Sequence, residues 1–153
     1  MVAPLLRENV MDLGSGGGFP GIPIAITNPQ KKVYLVERRQ ARAAFLLNTI
    51  NRLELQNTKV INVDSRELKA QEFGGPLDIV TKAFGSPKNT IKAIEGLLKT
   101  PGTLLKIMKT KPATGLEEIP KNYKVEKIEE INLKGKEKAV SYTHLTLPTI
   151  CSV

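Results

Sequence analysis

The chain has 153 residues and a mass of 16.8 kDa, with 23 Lys+Arg against 15 Asp+Glu and a net charge of +8. At 41% hydrophobic and 25% charged residues it is one domain's length with enough apolar matter for a core, which excludes a wholly disordered chain. No stretch approaches the ~20 apolar residues of a membrane span, and the opening residues are too few for a secretory apolar region, so a cytoplasmic protein with no membrane partner is expected.

Residues 9–13 (NVMDL) read as a short strand that runs into the glycine cluster GSGGGFPG, Gly14 to Gly21. A helix is expected next, because Pro20 and Pro23 are tolerated in a first turn and Ile22, Ile24, Ala25 and Ile26 supply apolar matter. Asn28–Pro29 ends it. Residues 32–36 (KVYLV) form a second buried strand closed by Glu37. From 38 to 55 the chain lacks Gly and Pro and places Ala43, Leu46, Leu47, Ile50 and Leu53 at helical spacing. Further strands are expected at 59–63, 77–81 and 104–108, with one helix over 88–98. Residues 123–133 alternate as antiparallel strand material. Strands alternating with helices predict an α/β fold with a mainly parallel sheet and helices on both faces.

Residues 140–153 hold the single His144 and the single Cys151 and no charged side chain at all. The wording VSYTHLTLPT resembles the translation of a transposon-type sequencing adapter, so residues 1–139 are taken as the domain and 140–153 as an adapter-derived tail. A real terminal strand is the other reading. Without the tail the chain has no His and no Cys, which removes thiol nucleophiles, zinc clusters, iron–sulfur chemistry and His acid–base catalysis together. No metal is expected.

The glycine cluster is the strongest chemical signal. Asp12 stands at a strand end before Gly14, Gly16 and Gly18, where only glycine lets a backbone turn tightly and approach a ligand. The following helix start favours an anionic group of that ligand. Gly16, Gly18 and Gly21 also make the G-x-G-x-x-G frame of dinucleotide enzymes, and Glu37 can accept ribose hydroxyls in either case. Asp12 separates the two readings: a carboxylate there repels a pyrophosphate but accepts from a cationic amino-acid moiety. S-adenosyl-L-methionine is therefore expected, ahead of an NAD(P)-binding oxidoreductase. A tight turn with no ligand, and a solvated strand end at Glu37, are the plain structural alternatives.

The run DLGSGGGFPGIPIAI resembles the signature of the RsmG (GidB) family, bacterial methyltransferases that use S-adenosyl-L-methionine on guanine N7 of 16S ribosomal RNA. The likeness continues through VYLVERRQARAAFLLNTI, NVDSRELKAQEF, DIVTKAFGS and LLKTPGTLLKIMKT. It implies a class I (Rossmann-like) methyltransferase fold whose last strands are antiparallel or missing, and a helical segment ahead of the glycine strand that is expected to be missing here. The resemblance puts cofactor contacts on Gly14, Phe19, Arg66 and Glu67, with Asp12, Gly16, Gly18 and Glu37 in the same pocket. Lys82 takes the place of a family arginine, which keeps the charge and loses the planar fork.

Guanine N7 offers a lone pair, so the implied reaction needs no general base. Lys82 and Phe84 are candidates for the guanine side; a solvated strand end and a packed loop aromatic are their structural alternatives. The implied partner is 16S rRNA in the small ribosomal subunit, bound by a monomer, and the +8 charge suits a polyanion. A non-catalytic RNA-binding module is the remaining alternative, which the retained Gly14, Gly16, Gly18 and Glu37 oppose.

Overall fold

The fold is that of a computed structural model, which describes residues 7–109, 115–132 and 139–146. Seven strands form one sheet in the order β3-β2-β1-β4-β5-β7-β6. The first five are β1 (Asn9–Leu13), β2 (Lys32–Val36), β3 (Thr58–Ile61), β4 (Leu77–Lys82) and β5 (Leu104–Lys109), each parallel to its neighbours among them. β6 (Lys124–Asn132) and β7 (Ala139–Thr146) complete the sheet antiparallel.

The strands were legible because a parallel sheet covered on both faces takes near-continuous apolar runs. Alternate residues of β1 and β4 feed two cores. Met11, Leu13, Leu77 and Ile79 pack with Leu105, Ile107 and the helices α3 (Pro87–Ala93) and α4 (Glu95–Leu98). Val10 and Val80 pack with Val33 and Leu35 beneath α1 (Gly21–Thr27) and α2 (Gln40–Arg52). The one helix expected over 88–98 is two, since Ile94 leaves helical geometry at φ −125° while burying its side chain. In α2 the core takes Ala43, Leu46 and Ile50, whereas Leu47, and Leu53 just past its end, are about half exposed at 51% and 48%: the apolar stripe is narrower than the spacing suggested.

One charge pair lies inside the sheet. Lys106 on β5 is 1% exposed and its Nζ meets Asp78 Oδ2 on β4 at 2.8 Å. The backbone N–H of Arg7 donates to the same oxygen at 2.6 Å, and the Arg7 guanidinium approaches Oδ1 at 3.5 Å.

β7 begins at Ala139 and runs through the first residues of the segment set aside on composition. Its backbone pairs with β5 on one side and β6 on the other, so of the two expectations for the last strands, antiparallel or missing, the sheet of seven shows the antiparallel one. The remaining tail, 147–153, lies outside the described residues.

The strand order fixes where a ligand can sit. From β1 the chain crosses to β2 and β3 on one side, then returns to β4 and β5 on the other. Loops leaving the carboxyl ends of β1 and β4 therefore diverge and open a crevice between them.

Candidate cofactor site

The crevice is a cavity of about 490 Å³ at the carboxyl ends of β1 to β4, lined among others by Gly14, Glu37, Arg38, Arg42, Asp64 and Phe84. That volume lies within the range of small-molecule sites.

The glycine loop forms its first wall. Gly14 and Ser15 both donate their N–H groups to the carbonyl of Val36, at 2.9 and 3.0 Å, which folds the loop back over the end of β2. Gly14 has φ +73°, and a Cβ there would stand 2.6 Å from Cδ2 of Phe84. A side chain is thus excluded twice, by backbone conformation and by the aromatic ring. Phe84 is half-buried against the core beyond that contact, so the structure supports its packing role while leaving it on the cavity wall.

Asp12 sits beneath this loop and does not line the cavity. It is 1% exposed; Oδ2 accepts the N–H of Gly21 at 2.9 Å, while Oδ1 has no hydrogen-bond partner. Ser15 Oγ donates to the Asp12 carbonyl at 2.9 Å. Burial pushes the Asp12 carboxyl up to about 6; the Gly21 N–H opposes the shift and the nearby Glu37 carboxylate adds to it. Gly21 must lack a side chain, because a Cβ would fall 2.6 Å from Asp12 Oδ2. The acid before the glycines therefore holds the start of α1, and any effect on a ligand runs through the loop.

Glu37 is the acid at the cavity floor. It is 4% exposed, with Oε2 accepting from Gly16 N at 3.0 Å and Oε1 from Arg39 N at 2.9 Å. Asn62 steadies its carbonyl at 2.8 Å. Each carboxylate oxygen keeps a further lone pair for a hydroxyl from the cavity side.

The third wall follows β3. Asp64 caps a 3-10 turn (Ser65–Glu67) in a capping box: it accepts from Arg66 N at 3.0 Å, while Glu67 Oε1 accepts from Asp64 N at 3.2 Å. The Arg66 guanidinium forks onto Asp64 with Nε to Oδ1 at 2.8 Å and Nη2 to Oδ2 at 2.9 Å. This pairing holds the Asp64 carboxyl well below the usual carboxylate range. Arg66 lines the cavity, whereas the Glu67 side chain is committed to the cap. Sequence reasoning passed over Asp64, although D-x-x-E in DSRE is a legible cap signal.

The fourth wall is the turn after β4. Ala83 takes φ +55°, uncommon for a residue with a side chain, and lines the cavity beside Phe84. Exposed Lys82 turns to the glycine loop, its Nζ lying 4.6 Å over the ring of Phe19, itself 52% exposed. The structure thus brings Gly14, Glu37, Arg66 and Phe84 to one cavity, places Gly16 at its floor through Glu37, and pairs Lys82 with Phe19 in contact across the β1 and β4 loops. Gly18 is buried, and its N–H donates to the Ser15 carbonyl at 2.7 Å within the loop.

The chain is similar to known proteins in both sequence and fold. Residues 2–145 match the family model described as rRNA small subunit methyltransferase G (GidB). Ribosomal RNA small subunit methyltransferase G of Histophilus somni (strain 129Pt) is 31% identical over 149 residues, covering 96% of this chain and 68% of that protein. The Helicobacter hepaticus protein of the same name is 41% identical over 96 residues, covering 62% and 51%. The chain thus spans from about half to two thirds of the length of these relatives. Among solved structures, TrmN from Thermus thermophilus superposes with a TM-score of 0.66 at 18% identity, over 92% of this chain and 44% of that one. TrmK of M. capricolum, in complex with S-adenosyl-homocysteine, gives 0.66 at 14% identity over 96% and 66%. A SAM-dependent methyltransferase from Aquifex aeolicus gives 0.63 at 16% over 92% and 82%. The fold is that of the class I S-adenosyl-L-methionine-dependent methyltransferases.

Proposed function

The chain belongs to the rRNA small subunit methyltransferase G family, and from that premise we propose that it is the catalytic core of a cytoplasmic, monomeric enzyme that methylates N7 of a guanine in 16S rRNA, with S-adenosyl-L-methionine as donor. The observation that carries the cofactor assignment is Glu37. A carboxylate buried to 4% at the end of β2, lining the cavity and bonded to Gly16, is suited to accept two ribose hydroxyls. The positive φ values of Gly14 and Gly16, at 73° and 54°, support the close backbone approach that an amino-acid moiety requires.

The bound cofactor supplies an electrophilic methyl group. The chain's own part is to position and desolvate. Glu37 holds the ribose end. Gly14 and Gly16 offer backbone where a side chain would block approach. Phe84 and Ala83, on the opposite wall, face the site from the turn after β4, where a guanine edge has access. Lys82 and Phe19 close the same side. N7 presents its lone pair without losing a proton, so no acid or base has to act, and the catalytic gain is one of alignment, worth up to ~7–11 kcal/mol in favourable model systems.

Calorimetric titration of S-adenosylhomocysteine, with NADH as control, tests the cofactor. Saturable binding of the first alone is expected; binding of NADH alone by a folded chain would overturn the reading. 7-Methylguanosine in nucleoside digests of treated 16S rRNA tests the substrate.

A further inference from the structure

Three arginines crowd one side of the cavity without an evident reason in the fold. Arg38, Arg39 and Arg42 are all exposed and all line it. Among the described residues, the ion pairs within 4.0 Å join Arg7 and Lys106 to Asp78 and Arg66 to Asp64, and none engages these three. Nor is their position favourable. Arg38 is attracted by the Asp64 carboxylate, but Arg66 already forks onto that group; at the beginning of α2, whose first turn has no acid, the helix dipole and mutual repulsion oppose all three. The buried acid beside them, Glu37, already accepts two backbone N–H groups. The methyl donor does not explain them either. With a sulfonium and an ammonium against one carboxylate it is a net cation, which an arginine-rich wall repels.

A polyanion resolves the imbalance. We infer that Arg38, Arg39 and Arg42 form a rim that grips backbone phosphates of the RNA substrate beside the methyl-donor cavity, an assignment that rests on the proposed function. The guanidinium groups suit phosphate because they are planar, always charged and weakly hydrated. The rim adjoins the site: Arg42 Nη1 lies 3.9 Å from where a Cβ on Gly16 would stand. Phe45, three positions after Arg42 and 54% exposed, continues the same face of α2 with a ring on which a base can stack.

The rim has a second consequence. Phosphates that neutralise it remove repulsion felt by a cation in the cavity, and linkage makes the effect reciprocal. Bound RNA therefore tightens S-adenosyl-L-methionine more than S-adenosylhomocysteine, which lacks the sulfonium charge.

The test measures 16S rRNA binding against salt for the unaltered chain, the double variant Arg38→Gln/Arg42→Gln, and Arg52→Gln at the far end of α2, with both cofactor forms titrated in each. The double variant should lower the salt slope by about two and lose far more RNA affinity than S-adenosylhomocysteine affinity; Arg52→Gln should change neither. Saturating RNA should favour the methyl donor over its product by about threefold in the unaltered chain and not in the double variant. An unchanged slope with RNA still bound, or a loss of cofactor affinity as large as the loss of RNA affinity, would overturn the rim. So would a folded chain that binds cofactor but no RNA at low salt. A folded chain that binds RNA through these arginines but no cofactor would overturn the proposed function and leave the phosphate rim standing.

Discussion

Glu37 Oε2 accepts the N–H of Gly16 at 3.0 Å, so the end of the second strand holds the glycine loop from below. Replacing it removes both this anchor and the proposed ribose acceptor. Glu37→Ala should weaken S-adenosylhomocysteine about tenfold to a hundredfold, since hydrogen bonds to a charged group contribute about 1.5–3 kcal/mol each. Titration of the folded variant checks this, and undiminished affinity would remove Glu37 from the site.

Asp12 gives the fold a pH dependence of unusual sign for a carboxylate. Its ordinary value is 3.8 and burial raises it to about 6. Below pH about 4 the group is protonated both folded and unfolded and costs nothing. Between about 4 and 6 only the unfolded chain ionises, so stability falls as pH rises; above 6 the full cost, about 3 kcal/mol, is present. Thermal melts of the unaltered chain and Asp12→Asn from pH 4 to 8 should show this slope only in the former.

The contact between Gly14 and Phe84 makes a pair of substitutions informative. Gly14→Ala should cost about 1–3 kcal/mol through its left-handed backbone and the ring 2.6 Å from the new Cβ. Phe84→Leu in the same chain should recover the part due to the ring. Denaturant midpoints of the two singles and the double separate the contributions; strict additivity would show that no clash exists.

Lys106→Met should be strongly destabilising, by about 3–5 kcal/mol, because among the described residues it leaves buried Asp78 with only the Arg7 contacts. Adding Asp78→Leu should restore most of the loss, as apolar replacements of buried ion pairs usually do. A double variant no more stable than the single would mean that the pair is held by more than its charges.

The origin of residues 140–153 is open to a direct check. The expected outcome is that genomic sequence diverges from this chain after the codon for Ala139 and that the replaced codons match adapter sequence. Genomic codons continuing through YTHLTLPT would overturn it.

Much of the fold was legible because parallel strands announce themselves as apolar runs. β1 and β2 fall on the predicted residues, since glycines end the first and Glu37 the second. For β7 the sequence left two readings open, an antiparallel last strand or none, because a strand between two others depends on backbone pairing that composition cannot display. Glu37 and the glycines were readable through their spacing. The reach of Asp12 was not, because burial beneath a loop is a tertiary fact. Arg38, Arg39 and Arg42 were visible as charges, but their common rim appears only when the β2 to α2 turn is folded over the cavity.

The position of β7 also sets an order of assembly. β6 precedes it in the chain but, among the described residues, pairs with no other strand, and β5 has β7 as its outer neighbour. During synthesis the first five strands can join as they emerge, while β6 waits unpaired beside an open edge of β5. That edge is a template for another chain until the β7 position, held here by residues 139–146, is filled, so whatever codons follow Ala139 in the gene must encode a strand to close the gap. The last described strand is the wedge that converts two loose edges into one sheet.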